Sequence, residues 1–165
     1  MTRDLRTLIV GIGSDFGDDR LGAVVVERLR EVLSRHDVRY VGTPMKLIDV
    51  LGGFDRLHVV DACRGGDEPG TIIRRAWPIS FWKSARCGGT HDFDLPEVLT
   101  LAEQMHALPP QVTIWGIQVT EDVAPDDFRR PLSPPVVDAV DRLLQRIMEE
   151  VEDDGNLIPE QRHHA

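Results

Sequence analysis

Short apolar runs that alternate with amphipathic stripes are the feature of this sequence that most constrains its fold. Apolar residues dominate Leu8–Val10, Leu57–Asp61 and Val112–Gln118, a composition typical of strands that are buried on both faces. Between the first two runs, Gly22–Leu33 carries apolar residues at helical spacing. Because a strand buried on both faces needs a helix layer on each side, the alternation predicts a three-layer α/β/α sandwich.

The sheet at the centre of this sandwich is predicted to be mixed and to contain five strands. Val38–Val41 and Thr71–Trp77 supply the two remaining strands. Residues 62–70 alone separate the third strand from the fourth, whereas a parallel crossover takes about a dozen residues or more. We therefore expect the fourth strand to be antiparallel. Met45–Leu51, Leu95–His106 and a stripe that begins after Ser133 are predicted to be helices.

A single α/β domain is expected over residues 1–151, followed by a flexible polar tail over residues 152–165. The chain of 165 residues is long enough to bury a core without disulfide or metal support. Its two cysteines, Cys63 and Cys87, are too few for a disulfide framework and are interpreted as buried or incidental thiols.

The charge balance argues against nucleic-acid and membrane-surface roles. Lysine and arginine total 19 against 28 acidic residues, and polyanionic partners favour clustered positive charge. The sequence contains neither a bilayer-spanning apolar segment nor a signal-peptide core at its start, so a cytoplasmic protein is expected. The oligomeric state is not determined by these features, which are compatible with a monomer.

A glycine-rich and acidic loop over residues 11–22 is the first candidate for chemistry. It begins like a dinucleotide-binding fingerprint, but Phe16 occupies the position of the third glycine, and Asp15, Asp18 and Asp19 would repel a pyrophosphate. The three acids suit a cation better, because a helix N-terminus keeps nearby carboxylates ionised. The alternative is that Asp18 or Asp19 only caps the helix.

Asp61 and His91 are the other candidates. Asp61 ends the third strand, and the carboxyl ends of parallel strands share the sheet edge at which ligands bind; alternatively, Asp61 starts a turn. His91 lies in Pro78–Phe93, which is long for a connection and thus a candidate functional loop, although a lone loop histidine is often incidental. Together with Asp19, these residues would offer two carboxylates and one imidazole, a set that suits zinc, nickel, iron or manganese and leaves coordination positions open.

From Leu8 to about Ile147 the sequence resembles the hydrogenase maturation endopeptidases. These nickel-dependent enzymes trim the large-subunit precursor of nickel–iron hydrogenases. The resemblance depends on the order and spacing of several motifs, which are Gly17-Asp18-Asp19-Arg20-Leu21-Gly22, Val60-Asp61-Ala62, Pro69-Gly70-Thr71-Ile72, Thr90-His91 and Leu108-Pro109-Pro110.

This resemblance implies that Asp19, Asp61 and His91 are the catalytic and metal-contacting residues. It implies a metal-dependent endopeptidase that removes a C-terminal peptide from the nickel-loaded large-subunit precursor. The precursor would supply the nickel, for which zinc or cadmium could substitute in the isolated protein. The metal would serve as a recognition element or as a Lewis acid for hydrolysis.

The first loop departs from the family pattern. It is one residue shorter, Arg20 stands where glycine is usual, and Ser14 replaces asparagine; these changes alter the rim and retain all three ligands. Two other functions stay open at this point. The first is a non-catalytic, metal-sensing chaperone of the same precursor. The second is a cysteine hydrolase that uses Cys63 or Cys87 as nucleophile and His91 as base.

Overall fold

The computed structural model describes residues 4–65, 67–78, 86–87, 95–120 and 131–155, with only the backbone described at 86–87 and 154–155. The strands are β1 (Thr7–Ile12), β2 (Asp37–Val41), β3 (Arg56–Arg64), β4 (Ile72–Ala76), β5 (Arg86–Cys87) and β6 (Gln111–Gln118). The α-helices are α1 (Leu21–Val32), α2 (Leu95–Gln104) and α3 (Pro134–Gly155), and two 3-10 helices span Gly17–Arg20 and Pro44–Val50.

The sheet is mixed, as predicted, and its strand order is β2-β1-β3-β6-β4. The first four strands in this order are parallel to one another, whereas β4 runs antiparallel beside β6. The predicted fourth strand is therefore antiparallel, with β6 inserted between it and β3. A sixth strand, the two-residue β5, pairs antiparallel with the end of β3 and was not predicted, because two residues carry no recognisable periodicity.

Helices cover both faces of the sheet, which confirms the three-layer architecture. On one face, α1 and α3 pack against Ile9, Val60 and Trp115. On the other, α2 and the second 3-10 helix pack against Leu8 and Val59. Successive strand residues thus enter opposite cores, because side chains alternate across a strand. The predicted helix at Met45–Leu51 forms one residue earlier and as a 3-10 helix.

Two glycines let β1 pass directly against the start of α1. A Cβ atom on Gly11 would lie 2.2 Å from the carbonyl oxygen of Gly22, and a Cβ atom on Gly22 would lie 2.3 Å from that of Ile12. Any side chain at either position would force the two elements apart. This close approach holds the loop between them at the carboxyl end of β1.

The last helix begins where the sequence predicts and continues further than expected. The carbonyl oxygen of Ser133 accepts the N–H groups of Val136 and Val137, as expected for a residue that precedes a helix. The helix extends to Gly155, past residue 152, where the polar tail is predicted to start; residues 156–165 lie outside the described part of the chain.

Of the helices that the structure describes, none combines the length and apolar composition that crossing a bilayer requires.

Candidate functional site

Asp19 lies in the first 3-10 helix and is buried, with 8% of its surface exposed. The backbone N–H of Ser14 donates to Asp19 Oδ2 over 2.9 Å, which leaves Oδ1 to face other groups. Gly13 makes this turn feasible, because a Cβ atom there would lie 2.1 Å from the Asp19 carbonyl oxygen. The loop therefore holds Oδ2 of Asp19 by a hydrogen bond and leaves Oδ1 to interact with other groups.

Asp18, the preceding residue, is used differently. Its Oδ1 accepts the backbone N–H of Ser133 over 2.7 Å, and its Oδ2 accepts the Ser133 hydroxyl over 2.8 Å. Neither the first 3-10 helix nor α1 has a side-chain cap. The alternative that Asp18 or Asp19 caps the following helix is therefore wrong; Asp18 instead fastens the loop to the start of α3.

Tyr40 of β2 supports the same loop from the neighbouring strand. Its hydroxyl donates to the Gly13 carbonyl oxygen over 2.7 Å. Burial raises the pKa of Tyr40, and the negative charges of Asp15 and Asp19 raise it further, so the hydroxyl stays protonated and remains a donor. Tyr40 could not be predicted as part of the site, because a strand tyrosine carries no motif.

Asp61 is almost fully buried in β3, with 1% of its surface exposed. Its Oδ1 accepts the backbone N–H of Ala62 over 2.8 Å. Because Val60 and Ala62 enter the core below α1 and α3, strand alternation directs Asp61 toward the α2 side. The strand continues to Arg64, so Asp61 neither ends the strand nor starts a turn, in contrast to both sequence-based interpretations.

The first 3-10 helix contacts β3 and so brings Asp19 to the strand that carries Asp61. The clearest link is an ion pair in which Arg64 Nη1 lies 3.9 Å from Asp19 Oδ1. His91, the third predicted site residue, lies outside the described residues. Among the residues that are described, no group of three or more His, Cys, Asp or Glu side chains could hold a metal ion.

Gln118, at the end of β6, is a further polar residue of the same sheet edge and was not predicted from the sequence. It is 2% exposed, its backbone pairs in register with Cys63, and its Oε1 has no hydrogen-bond partner in the described part of the chain. Strand alternation places it on the α2 side, as for Asp61. Its only sequence signal is a polar residue at the end of an apolar run.

The sequence-based interpretation of Cys63 as a thiol is wrong, because Cys63 is disulfide-bonded. The backbone of Cys87, the other cysteine of the chain, lies directly opposite Cys63 in the ladder between β3 and β5. A sulfur atom in a disulfide is not a nucleophile. In this form, Cys63 cannot serve as the nucleophile of a cysteine hydrolase.

Known proteins are similar to this chain in sequence and in fold. A sequence model of the family described as hydrogenase maturation protease matches residues 24–150. The hydrogenase expression/formation protein HupD from Rhizobium leguminosarum bv. viciae is 29% identical over 137 residues, which cover 79% of this chain and 66% of HupD. The chain thus spans slightly less than two thirds of this relative's length.

Solved structures share the fold at low sequence identity. The hydrogenase maturating endopeptidase HybD from E. coli superposes with a TM-score of 0.71 at 20% identity, covering 92% of this chain and 94% of HybD. The [NiFe] hydrogenase maturation protease HybD from Thermococcus kodakarensis gives a TM-score of 0.72 at 22% identity, covering 89% and 99% of the two chains. At these identities, the superpositions establish a common fold.

Proposed function

The chain belongs to the hydrogenase maturation protease family, and we propose that it is a metal-dependent endopeptidase that removes the C-terminal peptide from a nickel-loaded hydrogenase large-subunit precursor. The observation that carries this proposal is the burial of two carboxylates, Asp19 and Asp61, on touching elements at one edge of the sheet. Buried carboxylates are costly unless charge or hydrogen bonds compensate them, and a divalent cation is a ligand that would do so.

The residues present fit such a cation in their chemistry. Asp19 and Asp61 would contribute oxygen ligands, and His91 would contribute the nitrogen ligand that the family resemblance implies. A bound divalent ion would polarise the scissile carbonyl group. The chain itself would orient this site: the Ser14 N–H holds Asp19 from one side, and the Ala62 N–H holds Asp61.

We treat nickel as part of the substrate, delivered with the precursor. Zinc or cadmium could occupy the same ligands in the isolated protein, because two carboxylates and one imidazole do not discriminate strongly among these ions. Recognition would then depend on both the precursor and its metal. General proteolysis is not expected of such a site.

The direct test is incubation with nickel-loaded precursor, followed by intact-mass spectrometry for loss of a C-terminal peptide. Asp19→Asn should reduce cleavage at least about 1000-fold, because it removes the charge but keeps an acceptor for the Ser14 N–H. Asp15→Ala is the matched control and should retain cleavage, since Asp15 is exposed in the same loop. Equal losses in the two variants would show that the wrong carboxylate has been assigned.

The same assay separates the enzyme from a non-catalytic chaperone. A chaperone would bind the loaded precursor without changing its mass. Casein and short unrelated peptides should remain intact even when nickel is added; their efficient degradation would contradict a maturation role.

His91 requires its own test. His91→Ala should abolish cleavage and weaken nickel or cadmium binding in a calorimetric titration. The free energy of unfolding of the metal-free protein should change by no more than about 0.5 kcal/mol, as expected for a residue that the sequence pattern assigns to a loop. Unchanged metal affinity would remove His91 from the proposed site.

We also propose a cytoplasmic location, and the disulfide at Cys63 offers a way to test it. Structural disulfides are rare in reducing compartments. If the protein is cytoplasmic, the bond at Cys63 is reduced in the cell, so alkylation in freshly lysed cells should label both cysteines. Quantitative protection of both from alkylation would point to an oxidising compartment.

A further inference from the structure

Arg64 forms an ion pair with Asp19, one of the two carboxylates of the proposed site. It is the last residue of β3, three positions after Asp61, and its Nη1 lies 3.9 Å from Asp19 Oδ1. Because residues 60 and 62 of the same strand enter the core below α1 and α3, alternation directs Arg64 to that side as well. Strand β3 thus carries Asp61 on one face and, on the other face, the Arg64 guanidinium group that pairs with Asp19.

This ion pair is shielded from solvent but is not a hydrogen bond. The two side chains expose 23% and 11% of their surface, so the charges attract each other more strongly than a surface pair would. The separation exceeds hydrogen-bond length, and Arg64 Nη1 is buried without a hydrogen-bond partner among the described residues. Within the described part of the chain, Arg64 Nη1 is therefore held beside Asp19 by charge and not by a directional hydrogen bond.

The position of the pair matters because of the oxygen atom involved. Asp19 Oδ2 is already engaged by the Ser14 N–H, so Oδ1 is the oxygen left to bind an incoming cation, and it is the oxygen that Arg64 faces. An arginine and a metal ion at this oxygen would repel each other. Binding of one therefore opposes binding of the other.

We propose that Arg64 is a built-in counter-cation that weakens the binding of free divalent ions at Asp19. This inference rests on the proposed function, in which the metal arrives with the precursor. Contacts with the precursor would supply the free energy needed to displace Arg64, whereas a free ion brings no such contacts. Arg64 would in this way favour metal-loaded precursor over metal in solution, as a specificity-determining residue.

Calorimetric titration of the purified full chain with Zn²⁺ and Ni²⁺ tests this inference. Arg64→Met keeps an apolar side chain of similar reach and removes the charge, so it should bind both ions at least about tenfold more tightly than the unmodified protein. Arg64→Lys keeps a charge and should stay within about threefold of the unmodified protein. Arg28→Met removes an arginine from a surface ion pair with Asp141 and serves as the control that should change nothing.

A double variant locates the effect. Asp19→Asn combined with Arg64→Met should lose the gain in affinity, because the gain depends on the charge of Asp19. A merely structural role for Arg64 would instead lower the melting temperature of Arg64→Met without raising its affinity for either ion. Equal affinities for the unmodified protein and Arg64→Met, or no measurable binding by either, would overturn the inference.

Precursor cleavage gives a separate readout. Free Zn²⁺ should inhibit cleavage by Arg64→Met at concentrations at least about tenfold lower than those that inhibit the unmodified protein. If the unmodified protein does not cleave nickel-loaded precursor at all, the proposed function fails. The comparison of metal affinities would still decide the role of Arg64.

Discussion

The two ends of the central strand pair, β3 and β6, differ in how far their polar side chains are paired. At the amino-terminal end, Arg56 and Gln111 are register partners, and Arg56 Nε donates to Gln111 Oε1 over 2.8 Å. Two residues further along β3, the Nδ1 atom of His58 accepts the Trp115 Nε1–H over 3.1 Å. Polar side chains at this end thus have direct hydrogen-bond partners.

The carboxyl-terminal end of the same pair is less completely satisfied. Gln118 Oε1 has no hydrogen-bond partner in the described residues, and Arg64 Nη1 contacts Asp19 through charge alone. Burying such groups costs about 1–3 kcal/mol each. The comparison indicates that one end of the pair contributes stability, while the other gives up stability for groups that a ligand can engage.

The largest expected effect concerns Asp61 at the carboxyl-terminal end. Asp61→Asn keeps the shape of the side chain and an acceptor for the Ala62 N–H, but it removes the charge. Precursor cleavage should fall at least about 1000-fold, while the free energy of unfolding should change by no more than about 1 kcal/mol. Chemical denaturation and the mass-based cleavage assay measure the two quantities. A loss of stability large enough to explain the lost cleavage would contradict the proposed difference between the two ends of β3 and β6.

The second effect is a pH dependence of stability from the amino-terminal end. Burial lowers the pKa of His58 from 6.5 to about 4, so the unfolded chain binds a proton at a higher pH than the folded protein does. The stability that neutral His58 provides is complete above about pH 6.5 and is lost as the pH falls toward 4. This loss should reach about 3 kcal/mol.

Denaturant unfolding at a series of pH values measures this dependence. His58→Gln is the control, because an amide can still accept the Trp115 N–H but does not titrate in this range. The variant should lose less stability between pH 6.5 and pH 4 than the unmodified protein. Identical pH profiles for the two proteins would show that His58 does not cause the effect.

The smallest effect compares two glutamines of β6 directly. Gln111→Met removes one acceptor of buried Arg56 and should lower the free energy of unfolding by about 1–2 kcal/mol while cleavage is retained. Gln118→Met removes a buried amide oxygen that has no hydrogen-bond partner among the described residues, at the cost of one long bond of 3.4 Å from Nε2 to the Val119 carbonyl oxygen. The free energy of unfolding should therefore stay equal or rise by about 1 kcal/mol. Thermal melts and denaturant titrations distinguish the two signs. Destabilisation by both variants would contradict the proposed difference between the ends.

Much of the fold follows from local patterns in the sequence. Continuous apolar runs such as Leu8–Val10 are typical of strands buried on both faces, and the stripes of α1 and α3 face the same core. The antiparallel direction of β4 follows from the shortness of the chain that precedes it. The strand that lies beside β4 could not be predicted, because β6, which comes later in the chain, is inserted between β3 and β4.

The candidate site was predicted as a location and as a set of acids, but not as a set of contacts. Topology brings Asp19 and Asp61 to one sheet edge, since carboxyl ends of parallel strands coincide there. Which of two adjacent acids serves the site is a different question. Only the tertiary structure distinguishes Asp18 from Asp19, because Asp18 accepts a hydrogen bond from Ser133, which is more than a hundred positions away in the sequence.

The sequence by itself determined the layers of this protein, because side-chain periodicity and chain length are local properties that decide which surfaces must be buried. Only the tertiary structure decided what surrounds the two acids. The Tyr40 hydroxyl on Gly13, the Arg64 charge beside Asp19 and the buried Gln118 amide come from strands that are distant in sequence. Their positions depend on strand order and register, which arise when long-range packing is complete and leave no local signal in the chain.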